Sequence, residues 1–424
     1  MKLKVGSKKA FVFVFIIGVI LGVMAGVILI NNRNAVADKN YIDSQKQKLE
    51  VENKVQANVQ EDNKTEDKID DGEQEEVMVE DGIKVVPTML DGIAGNSAYC
   101  PTFQIVWNEL ADKYVDGNEV ILLDSTLKMV DNLNEKTFTK DDISEEYYYV
   151  KVGKQILSVK KEIEKGIKDK FNENSAILDM VNWIDDTELE NTDSISSYVF
   201  YTMLKRNFEF KNPFDVLEEN GIFEDYTNVK YFGINDKSKA ELRDQVDVLF
   251  YNNESDFAAK LKTKDNDEVI VLRVEDDKYT KFDDVYNYLA KETKEFKGKK
   301  EFTTDDYLKV PNIKFNVLKK YNELINKSFL DKDNNLVVIS DAIQTIEFEM
   351  DNEGGKLKSE ALIATKNAMI FEEETVEKRY FYLTEDLYIF LKEENEDKPY
   401  FALKVDDIKD FQEDVEQMKN VVAY

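Results

Sequence analysis

The 424 residues contain no histidine and a single cysteine, Cys100. Without histidine there is no His-dependent catalytic triad and no histidine-ligated metal site. One cysteine cannot close an intrachain disulfide. Beside Pro101 in an apolar stretch, Cys100 reads as a core side chain. Positive charge is also scarce: 57 Lys and Arg face 87 Asp and Glu, a formal net charge of −30. That balance argues against a nucleic-acid partner, because phosphate binding needs clustered cations. It suits a soluble, self-repelling surface.

Sites that chemistry would need are equally thin. Asp331-Lys332-Asp333-Asn334-Asn335 opens like a calcium loop, but Leu336 stands where the loop needs Gly and Ala342 where it needs Glu. Gly354-Gly355-Lys356 lacks the spacing and the Ser or Thr of a phosphate loop. Acidic pairs such as Glu275-Asp276 read as solvated surface in so acidic a chain. No catalytic residue, metal ligand or cofactor is expected, and the chain is not read as an enzyme.

What is present divides the chain. Residues 1–9 carry Lys2, Lys4, Lys8 and Lys9, and an uninterrupted apolar run follows over 10–30. The run is long enough to span a bilayer, with the basic end cytoplasmic and the remainder outside. The competing reading is a signal peptide cleaved near Ala37, after Ala35-Val36-Ala37. Residues 31–82 are polar and acidic, too poor in large apolar side chains to offset their ordering entropy, and are expected to form a disordered linker.

The folded part is expected over 83–424. Phe103, Val106, Trp107, Leu110 and Ala111 have helical spacing and predict a helix that buries Trp107. Leu122–Leu133 and Ile143–Tyr149 read as helical or mixed, Ile156–Phe171 as an amphipathic helix, and Ile177–Ile184 as a helix burying Trp183. Strands are expected at Ser197–Leu204, Val229–Gly233, Val246–Tyr251, Phe257–Leu261, Val269–Val274, Leu308–Phe315, Leu336–Met350, Leu387–Leu391 and Tyr400–Val405, with a helix at Phe282–Leu289. Gln344, Ile346, Phe348 and Met350 alternate with Thr345, Glu347 and Glu349, so one face is buried. Asp351 to Gly355 is a turn, and small residues dominate Ser359–Thr365. Early helices and later strands give an α+β class.

Several of these stretches carry a family resemblance. Ser340–Thr345 and Glu349–Gly354 resemble the serpin strand that leads to the hinge, and Ser359–Thr365 resembles the hinge run. Upstream, Cys100-Pro101-Thr102, Val181–Ile184, Met203–Phe214 and Val310–Phe315 match further serpin motifs in order. The chain therefore resembles a divergent, membrane-anchored, bacterial-type serpin. The resemblance implies a multi-sheet α+β domain and a monomer whose partner is a target protease. It further implies inhibition of an extracellular serine or cysteine protease by cleavage and insertion of a reactive loop. The hinge would comprise Glu353, Gly354, Ser359, Glu360, Ala361, Ile363, Ala364 and Thr365. The scissile window would be Met369, Ile370, Phe371, Glu372, Glu373 and Glu374. The alternative is a non-inhibitory serpin-like binding or surface-structural protein.

The chain also departs from the family. Gln344 stands where serpins have His, Phe208 where they have Trp, and Phe103 where they have a buried Ser. Residues 355–358 look inserted into the hinge. In one alignment Ser359, Ala361, Ile363 and Thr365 face inward, which permits insertion. In the other, Lys356 and Lys358 would be buried, which is strongly unfavourable and opposes it.

Overall fold

Val269–Leu272, Leu387–Leu391 and Phe401–Val405 are continuous or near-continuous apolar runs, and each becomes a strand buried on both faces. The computed structural model describes residues 82–123, 125–187, 198–264, 266–275, 278–357 and 378–412. All of them belong to the unit Val77–Tyr424. Among the described residues no helix is long and apolar enough to cross a membrane. The apolar run at 10–30 and residues 31–81 lie outside them.

Strands β1 (Lys84–Val86) and β2 (Ser97–Tyr99) lead into helix α1 (Thr102–Val115), followed by α2 (Lys128–Asn134), β3 (Tyr148–Lys154) and α3 (Leu157–Phe171). Next come β4 (Tyr198–Leu204), β5 (Arg206–Glu209), the hairpin β6 (Asp215–Phe223) and β7 (Tyr226–Ile234), and the short α4 (Ala240–Arg243). The meander β8 (Val246–Asn253), β9 (Asp256–Lys262), β10 (Asp267–Arg273) precedes α5 (Phe282–Glu295). Then follow β11 (Asp306–Pro311), β12 (Ile313–Lys320), the small hairpin β13 (Ser328–Leu330) and β14 (Leu336–Val338), β15 (Ile343–Met350) and β16 (Gly354–Leu357). The last strands are β17 (Arg379–Tyr382), β18 (Leu387–Glu393) and β19 (Phe401–Val405).

A seven-stranded sheet, ordered β1-β2-β19-β18-β10-β9-β8, forms the centre. One face sends Leu261, Val271, Leu391 and Leu403 into the main core. The other sends Ile270, Leu272, Phe390 and Ala402 under α5, which answers with Phe282, Val285 and Leu289. That i, i+3, i+7 spacing is one helical face, so the sheet's near-continuous hydrophobicity follows from having cover on both sides. A second sheet is ordered β17-β11-β7-β6, a third β12-β15-β16-β5, and β3-β4 form a pair. In the third, Gln344, Ile346, Phe348 and Met350 are buried, as their alternation predicted.

The structure corrects several sequence expectations. Ile143–Tyr149 is a 3-10 turn followed by β3, a strand that the sequence left unassigned. Ile177–Ile184 contains only the 3-10 turn Ala176–Met180, and Trp183 is half-buried, its indole N–H donating to the Leu178 carbonyl at 2.6 Å. Leu122–Leu133 is helical only from Lys128. Leu308–Phe315 divides at Asn312, and Leu336–Met350 divides into β14 and β15. The turn after β15 is shorter than expected. It spans Asp351 to Glu353, with the Glu353 amide donating to Asp351 Oδ1 at 2.9 Å, and Gly354 already begins β16.

Candidate functional site

Two strand edges face each other across a gap. β15 pairs with β12 along its whole length. On its other edge, among the described residues, only Glu349 and Met350 have partners, Lys356 and Gly355 of β16. β4 pairs with β3 from Tyr198 to Leu204 and has no strand on its other edge among the described residues. Between β4 and β15 lies a cavity of about 320 Å³. Thr202 and Leu204 line one side, Gln344 and Ile346 the other, and Trp107 and Leu110 of α1 the floor. Phe200 packs with the α1 cluster, whereas Tyr201 packs with Val159, Ile163 and Ile167 of α3. Alternate β4 residues therefore face opposite layers, as the period of two requires.

β16 closes one end of this gap. It is antiparallel to β15 on one side and to β5 on the other, with Gly354 opposite Glu209 and Leu357 opposite Arg206. The close approach needs glycine. A Cβ at Gly354, where φ is +156°, would stand 2.1 Å from the Phe208 carbonyl oxygen. A Cβ at Gly355 would stand 2.2 Å from Phe208 Cζ. Phe208 is buried; its ring fills the space beside Gly355, and its backbone that beside Gly354.

The register also settles which way the first lysine points. Lys356 lies opposite Glu349 and is partly exposed, whereas Gly355 lies opposite Met350 and is buried. In β16, Lys356 is therefore not a core position.

The polar floor is rebuilt around Gln344. Its Nε2 donates to the Cys100 carbonyl at 2.9 Å and to Thr102 Oγ1 at 3.0 Å, and its Oε1 accepts from the Tyr321 hydroxyl at 2.6 Å. Burial pushes the Tyr321 phenol well above its ordinary range, which keeps it a donor. Burial likewise pushes the Cys100 thiol up to about 11, so the side chain is an inert part of the wall, as expected. Phe103 packs on Tyr321 with ring centroids 4.1 Å apart. Thr202 Oγ1 is buried without a hydrogen-bond partner among the described residues.

Beside β16, Arg206 of β5 carries a buried charge. Its Nη2 and Nε reach Asp267 at 2.7 and 2.9 Å, and Nη1 reaches Glu393 at 2.8 Å. Tyr400 donates to Asp267 Oδ1 at 2.9 Å, and the guanidinium carbon lies 3.4 Å from the centre of the Tyr147 ring. This node ties β5 to β10 and β18. Neither β5 nor Arg206 was anticipated from the sequence. The signal was the alternation of buried Arg206, Phe208 and Phe210 with exposed Asn207 and Glu209, which a charged residue at a core position disguised.

Of the hinge residues expected from the sequence, Glu353 and Gly354 are placed here. The Glu353 carbonyl accepts from Phe210 N at 2.9 Å. Ser359, Glu360, Ala361, Ile363, Ala364 and Thr365, and the window Met369 to Glu374, lie outside the described residues. No group of three or more Cys, Asp or Glu suited to a metal occurs among the described residues.

No protein-family model and no curated protein matches the chain. Among solved structures it is similar to a highly specific serpin from the insect Tenebrio molitor, at 11% identity and a TM-score of 0.42, over 74% of this chain and 92% of that one. It is also similar to thyroxine-binding globulin complexed with thyroxine, at 11% identity and a TM-score of 0.42, over 73% of this chain and 92% of that one. A structure of human thyroxine-binding globulin has 10% identity and the same TM-score, over 73% of this chain and 91% of that one.

Proposed function

We propose that the chain is a serpin-like inhibitor of an extracellular serine or cysteine protease, acting by cleavage and insertion of the segment after β16. The observation that carries this reading is β16 itself, a strand already wedged between β15 and β5 at the mouth of an unfilled gap. Both registers of β16 can be continued by one residue per rung. From Lys356 opposite Glu349, position 359 falls opposite Ile346 and position 361 opposite Gln344. From Leu357 opposite Arg206, the same positions fall opposite Leu204 and Thr202. The two sides agree, and on β15 those partners face the core. Inserted on this register, Ser359, Ala361 and Ile363 take inward positions and Lys358 and Glu360 outward ones, which is the alignment compatible with insertion.

The chemistry belongs to the protease. Its nucleophile attacks a carbonyl between Met369 and Glu374 and forms an acyl bond to the new chain end. Insertion of the freed segment carries the acylated protease away before water completes hydrolysis, and the ladder bonds gained hold it there. The folded part works outside the cell, tethered through residues 10–30.

The test is incubation of the full chain with a panel of serine and cysteine proteases, read on a denaturing gel. From at least one, a covalent complex is expected with the mass of the protease plus the chain up to the cut, the C-terminal fragment leaving with the new amine. Ala361→Arg, which puts an unpaired charge into the gap, should be cut without trapping. Cleavage by several proteases with no complex from any would remove the inhibitory reading and leave a non-inhibitory serpin-like binding protein.

A further inference from the structure

Among the described residues, the five most exposed large aliphatic side chains outside the β6 edge lie together. Leu122 bridges to Phe329 antiparallel, and the Leu123 amide donates to the Ser328 carbonyl at 2.9 Å, so residues 121–123 lie beside β13 as a third, one-bridge segment. β13 pairs with β14 in the register Leu330 to Leu336, Phe329 to Val337 and Ser328 to Val338. Side chains directly opposite one another share a face. Leu122 and Phe329 point into the α1 cluster. The outward face carries a row of Ile121, Leu330 and Leu336 and a row of Leu123, Ser328 and Val338. Those five aliphatic residues are 72, 42, 62, 53 and 51% exposed, taken as Ile121, Leu330, Leu336, Leu123 and Val338.

We propose that this three-segment face is a self-association surface, packing on the same face of a second copy across a two-fold axis. Its exposed apolar area is roughly 400–500 Å², near the top of what a monomer's surface normally carries. Two such faces together bury on the order of 1,000 Å², the lower bound for a specific interface. Sheet faces pack this way at about 10 Å, and a two-fold axis needs only one self-complementary patch. Charge supports the same partner. In a chain of net −30, the hairpin 326–339 is neutral, Lys327 and Lys332 against Asp331 and Asp333, and residues 121–123 are flanked only by Glu119 and Asp124. This is a place where two copies approach with little repulsion. The proposal departs from the monomer that the family resemblance implied, and it does not depend on strand insertion.

The test uses the full chain in membranes. Cys100 is buried, so Val338→Cys is a single reactive surface thiol, and Ile222→Cys, exposed on another sheet, is the collision control. A bismaleimide should give at least tenfold more covalent dimer from V338C than from I222C. Adding Leu330→Asp or, separately, Leu336→Asp should bring V338C to the control level while far-UV and near-UV circular dichroism stay unchanged. Equal cross-linking at both positions, or V338C dimer that survives both substitutions, overturns the proposal. So does Val338→Trp fluorescence quenched by brominated lipid without cross-linking of V338C, which gives the face to a bilayer.

Discussion

Gln344 Nε2 donates to the carbonyl of Cys100 across 2.9 Å, joining the start of β15 to the chain just ahead of α1. That carbonyl lies just before the first helical turn, and the Tyr321 hydroxyl on the far side of the amide completes a buried chain. One wall of the gap is thereby tied to its floor. Among the described residues the opposite wall, β4, meets the floor through ring packing, Tyr198 and Phe200 against Tyr114, rather than through a buried hydrogen bond, so opening is expected to move β4 with β3 and α3 rather than β15.

Gln344→Ala removes three hydrogen bonds and leaves the Tyr321 hydroxyl buried without its acceptor. A loss of about 1–3 kcal/mol in urea-unfolding free energy is expected, the usual range for a buried polar group left unpaired. A change below about 0.5 kcal/mol would mean that the chain Thr102, Gln344, Tyr321 contributes nothing to holding β15.

Cys100 supplies a probe of the same wall. Its thiol is buried, with a pKa pushed up to about 11, so alkylation by iodoacetamide at pH 8 should be at least a hundredfold slower than for a free thiol. In Gln344→Ala the rate should rise. Equal rates in the two proteins would show that the Gln344 chain does not control access to Cys100.

Arg206 is a second point at which one substitution should be costly. Arg206→Met strips the buried carboxylate of Asp267 of its cation, and breaking such a pair costs about 3–5 kcal/mol. The strand partner of Leu357 is then anchored less firmly to β10 and β18. Amide exchange at Lys356 and Leu357 should quicken more than at β12. Uniform quickening over both strands would show that the substitution acts globally.

Topology has its own check. If residues 10–30 tether the chain with the folded part outside, protease added to intact cells should release a soluble fragment beginning between residues 38 and 81. Protection of that stretch until lysis would place the folded part inside.

Much of the architecture was legible because it rests on periodicity. The alternation in β15, the helical stripe of α1 and the apolar runs of β18 and β19 each state their own burial. The divisions were not legible. Lys320 to Ala342 turns back through β13 and β14 because Phe329 and Ile339 find the α1 cluster, a tertiary contact with no local signature. The fate of Lys356 was equally hidden, since a period of two permits either register. What fixes it is the close fit of Gly354 and Gly355 over Phe208, which is distant in sequence. The gap itself is a relation between β4 and β15, and no stretch of sequence announces an edge left unpaired.

The most direct measurement is the thermal unfolding midpoint of the full chain before and after a single cut between Met369 and Glu374, with the cut site verified by mass. If positions 358–365 continue β16 down the gap, each new rung adds about 1 kcal/mol net, and several rungs rival the roughly 5–15 kcal/mol of an ordinary domain. The cut chain should then melt far above the intact one, and Ala361→Arg should cancel the gain while leaving the intact midpoint nearly unchanged. A cut chain that melts at or below the intact midpoint would contradict strand insertion.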